Sequence, residues 1–140
     1  MESPTFFEQL GGEERLKAII DAFIDSVVED PMIGFLFRGV DRDRLKQMEF
    51  EFAAQHLGAP IRYTGRPIGQ AHAPHRIMGG QFMRRLQLLR ETLELFGVPE
   101  VVKEHWLTHT ERLRAAVTKD KPGECTEAGP LQPASTKVDR

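Results

Sequence analysis

The sequence contains a single cysteine, Cys125, so no intrachain disulfide can form. It has no excess of positive charge: 19 Lys and Arg stand against 21 Asp and Glu, a formal net charge of −2. A nucleic-acid or membrane-surface partner needs a basic face, and this balance supplies none. No apolar run approaches the ~20 residues that span a bilayer. Residues 1–7, Met-Glu-Ser-Pro-Thr-Phe-Phe, lack the basic segment and apolar run of a secretory leader. Together these absences predict a cytoplasmic protein with no nucleic-acid or membrane partner. What is present suffices for one core, because 40% of the 140 residues are hydrophobic.

No internal repeat is visible, and the apolar residues recur at helical spacing in four segments. The first runs from after Gly11-Gly12 to about Val28, with Leu16, Ile19, Ile20, Phe23, Ile24, Val27 and Val28 on one face. Asp30-Pro31 breaks it, since proline disfavours helix at the residue before it, and a short apolar turn from Met32 to Phe37 follows, closed by Gly39. The second helix should start near Asp41 as N-cap, with Asp43 in its first turn. Its inward stripe is Leu45, Met48, Phe52 and Ala53, and it ends at Leu57-Gly58. Residues 58–77 form a Gly- and Pro-rich connection. The third helix carries Phe82, Leu86, Leu89, Leu93 and Phe96 and stops at Gly97. Pro99 sits in the first turn of the last, whose stripe is Val102, Trp106, His109, Leu113 and Val117. The reading is an all-α domain over residues 1–120. Residues 121–140, rich in Pro and Gly without apolar period, are expected to be a disordered tail in which Cys125 is an incidental exposed thiol.

The residues with chemistry to offer are few. His72 lies in the connection, in the run Tyr-Thr-Gly-Arg-Pro-Ile-Gly-Gln-Ala-His-Ala-Pro-His-Arg-Ile at residues 63–77. A lone loop histidine is ordinarily a surface residue. A histidine held beneath an apolar helical core can, however, offer one neutral imidazole to a large flat cofactor, and imidazole is a good iron ligand. His75, three residues on, competes for that role. His105 and His109 stand four apart and could in principle share a metal, but no carboxylate or third histidine is placed to complete the site. His109 is then a pocket-edge or core residue and His105 a partner for Glu104 or solvent. His56 ends its helix, where a cationic imidazole near the last carbonyls is favoured. Glu49, beside the apolar stripe, has three readings: it points outward, it is a protonated donor, or it pairs with a cation such as Arg85.

Several short runs recur in a known order: Phe-Phe-Glu-Gln-Leu-Gly-Gly-Glu-Glu at 6–14, Asp-Pro-Met-Ile-Gly-Phe-Leu-Phe-Arg-Gly-Val-Asp at 30–41, His-Leu-Gly-Ala-Pro at 56–60, Tyr-Thr-Gly-Arg-Pro at 63–67, Ala71-His72, Phe82, and Phe-Gly-Val-Pro at 96–99. In this order and spacing the chain resembles the truncated haemoglobins over roughly residues 5 to 118. It is most similar to the group I branch, although residues 71–77 are also similar to the second group. The resemblance implies a two-over-two helical sandwich binding haem b. It makes His72 the proximal iron ligand and sets His75 aside, whose spacing to Ile77 and Phe82 does not fit. Phe37 is implied against the porphyrin face. Tyr63, Arg66, Arg76, Ile77 and Phe82 fall around the rim and proximal side, with Arg66 and Arg76 the contacts for the haem propionates. The distal pocket is implied to be Phe23, Ile24, Leu45, Met48, Glu49 and Phe52, largely apolar.

That distal side departs from the family pattern. The usual tyrosine, whose hydroxyl donates to the bound gas, is replaced by Ile24, and a common glutamine by Glu49; an ionised carboxylate only accepts. Met48 occupies the position where six-coordinate relatives place a distal iron ligand. A thioether is competent for that and raises the reduction potential, while methionine is also ordinary core filler at helical spacing. The reading is a haem globin that reversibly binds a diatomic gas (O2, NO or CO), as a monomer or weak homodimer. The alternatives are a six-coordinate Met48/His72 redox or sensor globin, a nitric oxide dioxygenase or peroxidase needing a separate reductase, and a haem-free helical interaction module. Without the tyrosine and glutamine donors, dioxygen should be held weakly. A stopped-flow oxygen dissociation rate faster than that of tyrosine-bearing relatives is the expected outcome, and a slower one contradicts it.

Overall fold

The computed structural model describes residues 3–65 and 77–118. His72, His75, Arg66, Arg76 and the expected tail at 121–140 lie outside the described residues. Among those described, every regular element is helical. A short helix α1 (Phe6–Leu10) precedes the first expected one. Its start is a capping box: Glu8 N donates to Thr5 Oγ1 at 3.0 Å, and Thr5 N donates to Glu8 Oε1 at 3.0 Å. α2 spans Glu13–Val28 and α3 spans Arg42–His56, the latter capped by Asp41, whose carboxylate accepts from Asp43 N and Arg44 N. α4 covers Gly79–Leu95 and α5 covers Glu100–Arg112. Pro99 is the N-cap of α5 rather than a residue of its first turn, and the last helix breaks at Leu113 before a single further turn, α6 (Arg114–Val117).

α2 is the centre of the fold. It packs against α3 on one side and α4 on the other, while α5 packs on α4, giving two pairs of helices, one laid over the other. The apolar stripe read from the sequence is its buried face: Leu16, Ile19, Ile20, Phe23, Ile24 and Val27 are all buried. Leu86, Leu89 and Leu93 of α4, with Val102 and Trp106 of α5, complete the core. α3 behaves differently. Its core residues are Phe50, Ala53 and Ala54, and of the predicted inward stripe only Ala53 belongs to them. Leu45, Met48 and Phe52 are half-buried.

The corner between α2 and α3 is fixed by one carboxylate. Asp30 Oδ1 accepts from Arg84 Nε at 3.0 Å and Arg84 Nη2 at 2.7 Å. Its Oδ2 accepts from the backbone N–H groups of Met32 at 2.9 Å and Ile33 at 3.1 Å. The Asp30 side chain is 3% exposed. Arg84 above all, then these backbone donors, hold the carboxyl below the usual carboxylate range in spite of its burial. The chain then turns through a 3₁₀ segment (Gly34–Phe37) that passes so close to the α2 C-terminus that a Cβ on Gly34 would collide with the Val28 carbonyl oxygen. Elsewhere α2 and α3 are joined by exposed ion pairs, such as Arg42 with Asp25 at 3.0 Å and Glu29 at 3.2 Å, of the kind that contributes little.

This contrast is measurable. Asp30→Ala removes the acceptor for one guanidinium and two backbone donors and should lower the thermal midpoint, followed by circular dichroism, well below that of Arg42→Ala. Leu16→Ala, at a position with 0% exposure, should cost about 2–5 kcal/mol in urea unfolding.

Candidate functional site

Leu45, Met48 and Phe52 are half-buried because the α3 face that carries them meets a cavity, although Leu45 also packs against the core. The cavity has a volume of about 330 Å³. α2 contributes Ile24 and Val27, the corner gives Ile33, Leu36, Phe37 and Val40, and α3 adds Arg44, Leu45, Met48, Glu49, Phe52 and His56. The wall is completed by Tyr63, Gly65 and Ile77, by Gln81, Phe82 and Arg85 of α4, and by Trp106, Thr110 and Leu113.

A strap after α3 closes one side. Tyr63 N donates to Gln55 Oε1 at 2.8 Å, and Thr64 donates to Glu51 Oε1 from both its N–H (2.9 Å) and its hydroxyl (2.7 Å). Gln47 and then Thr64 hold the Glu51 carboxyl below its ordinary value. The Tyr63 ring stands over Gly65: a Cβ there would lie 2.5 Å from the hydroxyl oxygen, so only glycine leaves the ring its place. Phe52 meets that ring edge-on at 5.3 Å.

Of the residues expected from sequence, Ile24, Phe37, Leu45, Met48, Glu49, Phe52, Tyr63, Ile77 and Phe82 all line this one cavity. Phe23 does not. It is fully buried behind the wall, and its ring supports the Arg85 guanidinium at 4.9 Å. His72, Arg66 and Arg76 fall outside the described residues. The wall is mostly apolar, as expected, but it also carries an ion pair: Arg85 Nη2 lies 3.0 Å from Glu49 Oε2. Of the three readings for Glu49, the structure adopts the pairing with Arg85. Arg44, exposed at the rim, is a second cation that the sequence did not single out.

The histidines depart further from expectation. His56 does not sit as a cation on its helix's last carbonyls. The His56 carbonyl oxygen is met instead by His105, whose Nε2 lies 3.0 Å away, while the His105 ring stacks on Phe6 at 4.4 Å rather than pairing with Glu104. The His56 ring stacks on His109 at 4.0 Å and lies 5.4 Å from His105. A third histidine therefore does join the pair on α5. The rings are stacked instead of converging on a point, and among the described residues no His, Cys, Asp or Glu group could hold a metal ion. Burial, followed by the neighbouring His109 and His105, pushes the His56 imidazole down from 6.5 to about 3. Burial also lowers His109, whose Nδ1 is buried without a hydrogen-bond partner.

A model of the bacterial-like globin family matches residues 5–119. The chain is a truncated globin. It is 34% identical over 104 residues to the group 1 truncated haemoglobin GlbN of Mycolicibacterium paratuberculosis, covering 74% of this chain and 76% of that one. It is 30% identical over 98 residues to the group 1 truncated haemoglobin of Tetrahymena pyriformis, covering 70% and 81%. A crystal structure of truncated haemoglobin from T. pyriformis in its Fe(III) form superposes with a TM-score of 0.77 at 27% identity, over 82% of this chain and 98% of that one. The globin is therefore most similar to group I and has the two-over-two fold, as its sequence pattern implied.

The histidine stack gives this globin an acid limit. Burial lowers both His56 and His109 in the folded state, so as pH falls the unfolded chain takes up protons first. Stability is full above about 6.5, the ordinary histidine value, and is lost progressively as pH drops toward about 3, each unit of depression being worth about 1.4 kcal/mol. His56→Phe should flatten this part of the profile when urea midpoints are measured between pH 7.5 and 4.5. An unchanged slope would show that other groups carry it.

Proposed function

We propose that this cavity holds haem b and that the globin reversibly binds a diatomic gas there. The open cavity carries the reading: about 330 Å³ of mostly apolar space in the middle of a close-packed sandwich is what a haem-free interaction module would have closed by repacking. The wall suits a flat, apolar group with anionic edges. Phe37, Phe52, Tyr63 and Phe82 offer ring surfaces, the aliphatic residues exclude water, and Arg44 at the rim can pair with a propionate carboxylate beside the expected Arg66 and Arg76. When bound, the haem supplies an iron with one coordination position for the gas.

His72 is the residue proposed to hold the iron. Gly65 and Ile77, the nearest described residues on either side of its segment, both line the cavity, which supports that assignment. Ile24 and Leu45 add apolar surface to the cavity wall, and neither side chain donates a hydrogen bond. A second reading follows from Met48, which faces the cavity and not the core: its thioether could take the gas position and make the protein a redox or sensor globin.

Haemin titration followed by dithionite reduction tests both. The parent should give a stoichiometric Soret band and a five-coordinate, high-spin ferrous spectrum, which His72→Ala should lose. A His72→Ala spectrum identical to the parent's would refute the ligand assignment. A low-spin ferrous spectrum that turns high-spin in Met48→Ala would favour the second reading.

A further inference from the structure

We propose that Arg85 and Glu49 make the cavity selective for small inorganic monoanions over neutral gases, Arg85 holding the anion and Glu49 acting as the internal counter-ion it must exchange. The inference rests on the haem reading of the same cavity and concerns what approaches the iron.

The pair is unusual for its place. Arg85 and Glu49 come from α4 and α3, in opposite layers, and both side chains lie on the cavity wall, 26% and 18% exposed. As a staple between helices such a pair is poorly built, because a single contact leaves the withdrawal of two charges from water largely uncompensated. The neighbouring residue shows what a staple in this protein looks like: Arg84 commits both Nε and Nη2 to a carboxylate that is 3% exposed. Arg85 instead approaches Glu49 through Nη2, its guanidinium resting on the Phe23 ring at 4.9 Å.

Three features then favour an anion. A guanidinium has five N–H donors in a fixed fork, and one carboxylate engages two at most, so donors remain for a second acceptor. The Phe23 face keeps supporting the cation if the carboxylate withdraws. Among the described residues, Arg85 and Glu49 are the charged pair on the wall away from the exposed rim where Arg44 stands, so the guanidinium faces the cavity uncompensated once Glu49 turns aside. Walls of low polarity strengthen the field of that uncompensated charge inside. A neutral gas offers too little charge to compete with Glu49 for the guanidinium, whereas an anion does so directly. The selectivity therefore follows from the exchange itself.

The test uses the ferric, haem-reconstituted full chain, with azide and fluoride titrated optically, and carbon monoxide on the reduced protein as the neutral control. Appearance of the Soret band before any anion is added reports the haem reading separately. Arg85→Met should weaken both anions by about ten- to a hundredfold, the range of a lost charge-assisted hydrogen bond. Glu49→Gln should shift them the opposite way, tightening binding by about tenfold, and carbon monoxide affinity should move less than either. The carbon–oxygen stretch of the carbonyl adduct should rise in Arg85→Met and fall in Glu49→Gln, because a positive field near the oxygen lowers it. If Arg85→Met does not fold, Glu49→Gln decides alone. Anion affinities within twofold of the parent, or changes of the same sign in both variants, would overturn the proposal and leave the pair a structural link.

Discussion

One carboxylate organises the molecule. Asp30 stops α2, orients the 3₁₀ corner through two backbone donors, and reaches across to Arg84 on α4. A buried aspartate is tolerable only when its lone pairs are satisfied, and here the satisfaction comes from two places, the corner's own backbone and Arg84, 54 residues away. The direction of the corner, the start of α3 and the rotation of α4 are thereby tied to one another. Arg85, the next residue along α4, lies on the cavity wall. Two consecutive arginines thus divide their work: one secures the helix, the other presents charge where the helix faces open space.

The same logic explains why the cavity exists at all. α3 buries Phe50, Ala53 and Ala54 against α2, and small residues at two of those positions let the helices approach closely. Met48 and Phe52 are left on the face that lines the cavity, with Leu45 shared between cavity and core. The strap tied to Gln55 and Glu51 prevents that face from meeting solvent. An apolar surface that is neither packed nor exposed is a ligand site in waiting.

Features set by local chemistry were legible in the sequence. Asp41 as a cap, Asp30-Pro31 as a break and Gly97 as a stop each act within a few residues, and the structure places helix ends beside all three. The Thr5/Glu8 capping box was equally readable and would have announced α1. Periodicity identified the α3 face carrying Leu45, Met48 and Phe52, yet a period cannot say whether a face meets protein or a void. The rest was hidden by distance along the chain. Arg84 and Asp30 are 54 residues apart and His56 and His105 are 49 apart, so nothing local marks their meeting. The histidine cluster looked incomplete for that reason, and the Glu49–Arg85 pair was one option among three.

Trp106 is the only tryptophan in the chain. It is almost fully buried, at 1% exposure, and still contributes to the cavity wall. All indole emission from this globin therefore originates beside the space where a ligand would sit. A light-absorbing occupant within that distance drains the excited state by energy transfer, while an empty cavity leaves it bright. The fold has in effect placed its single fluorophore as an internal gauge of its own filling.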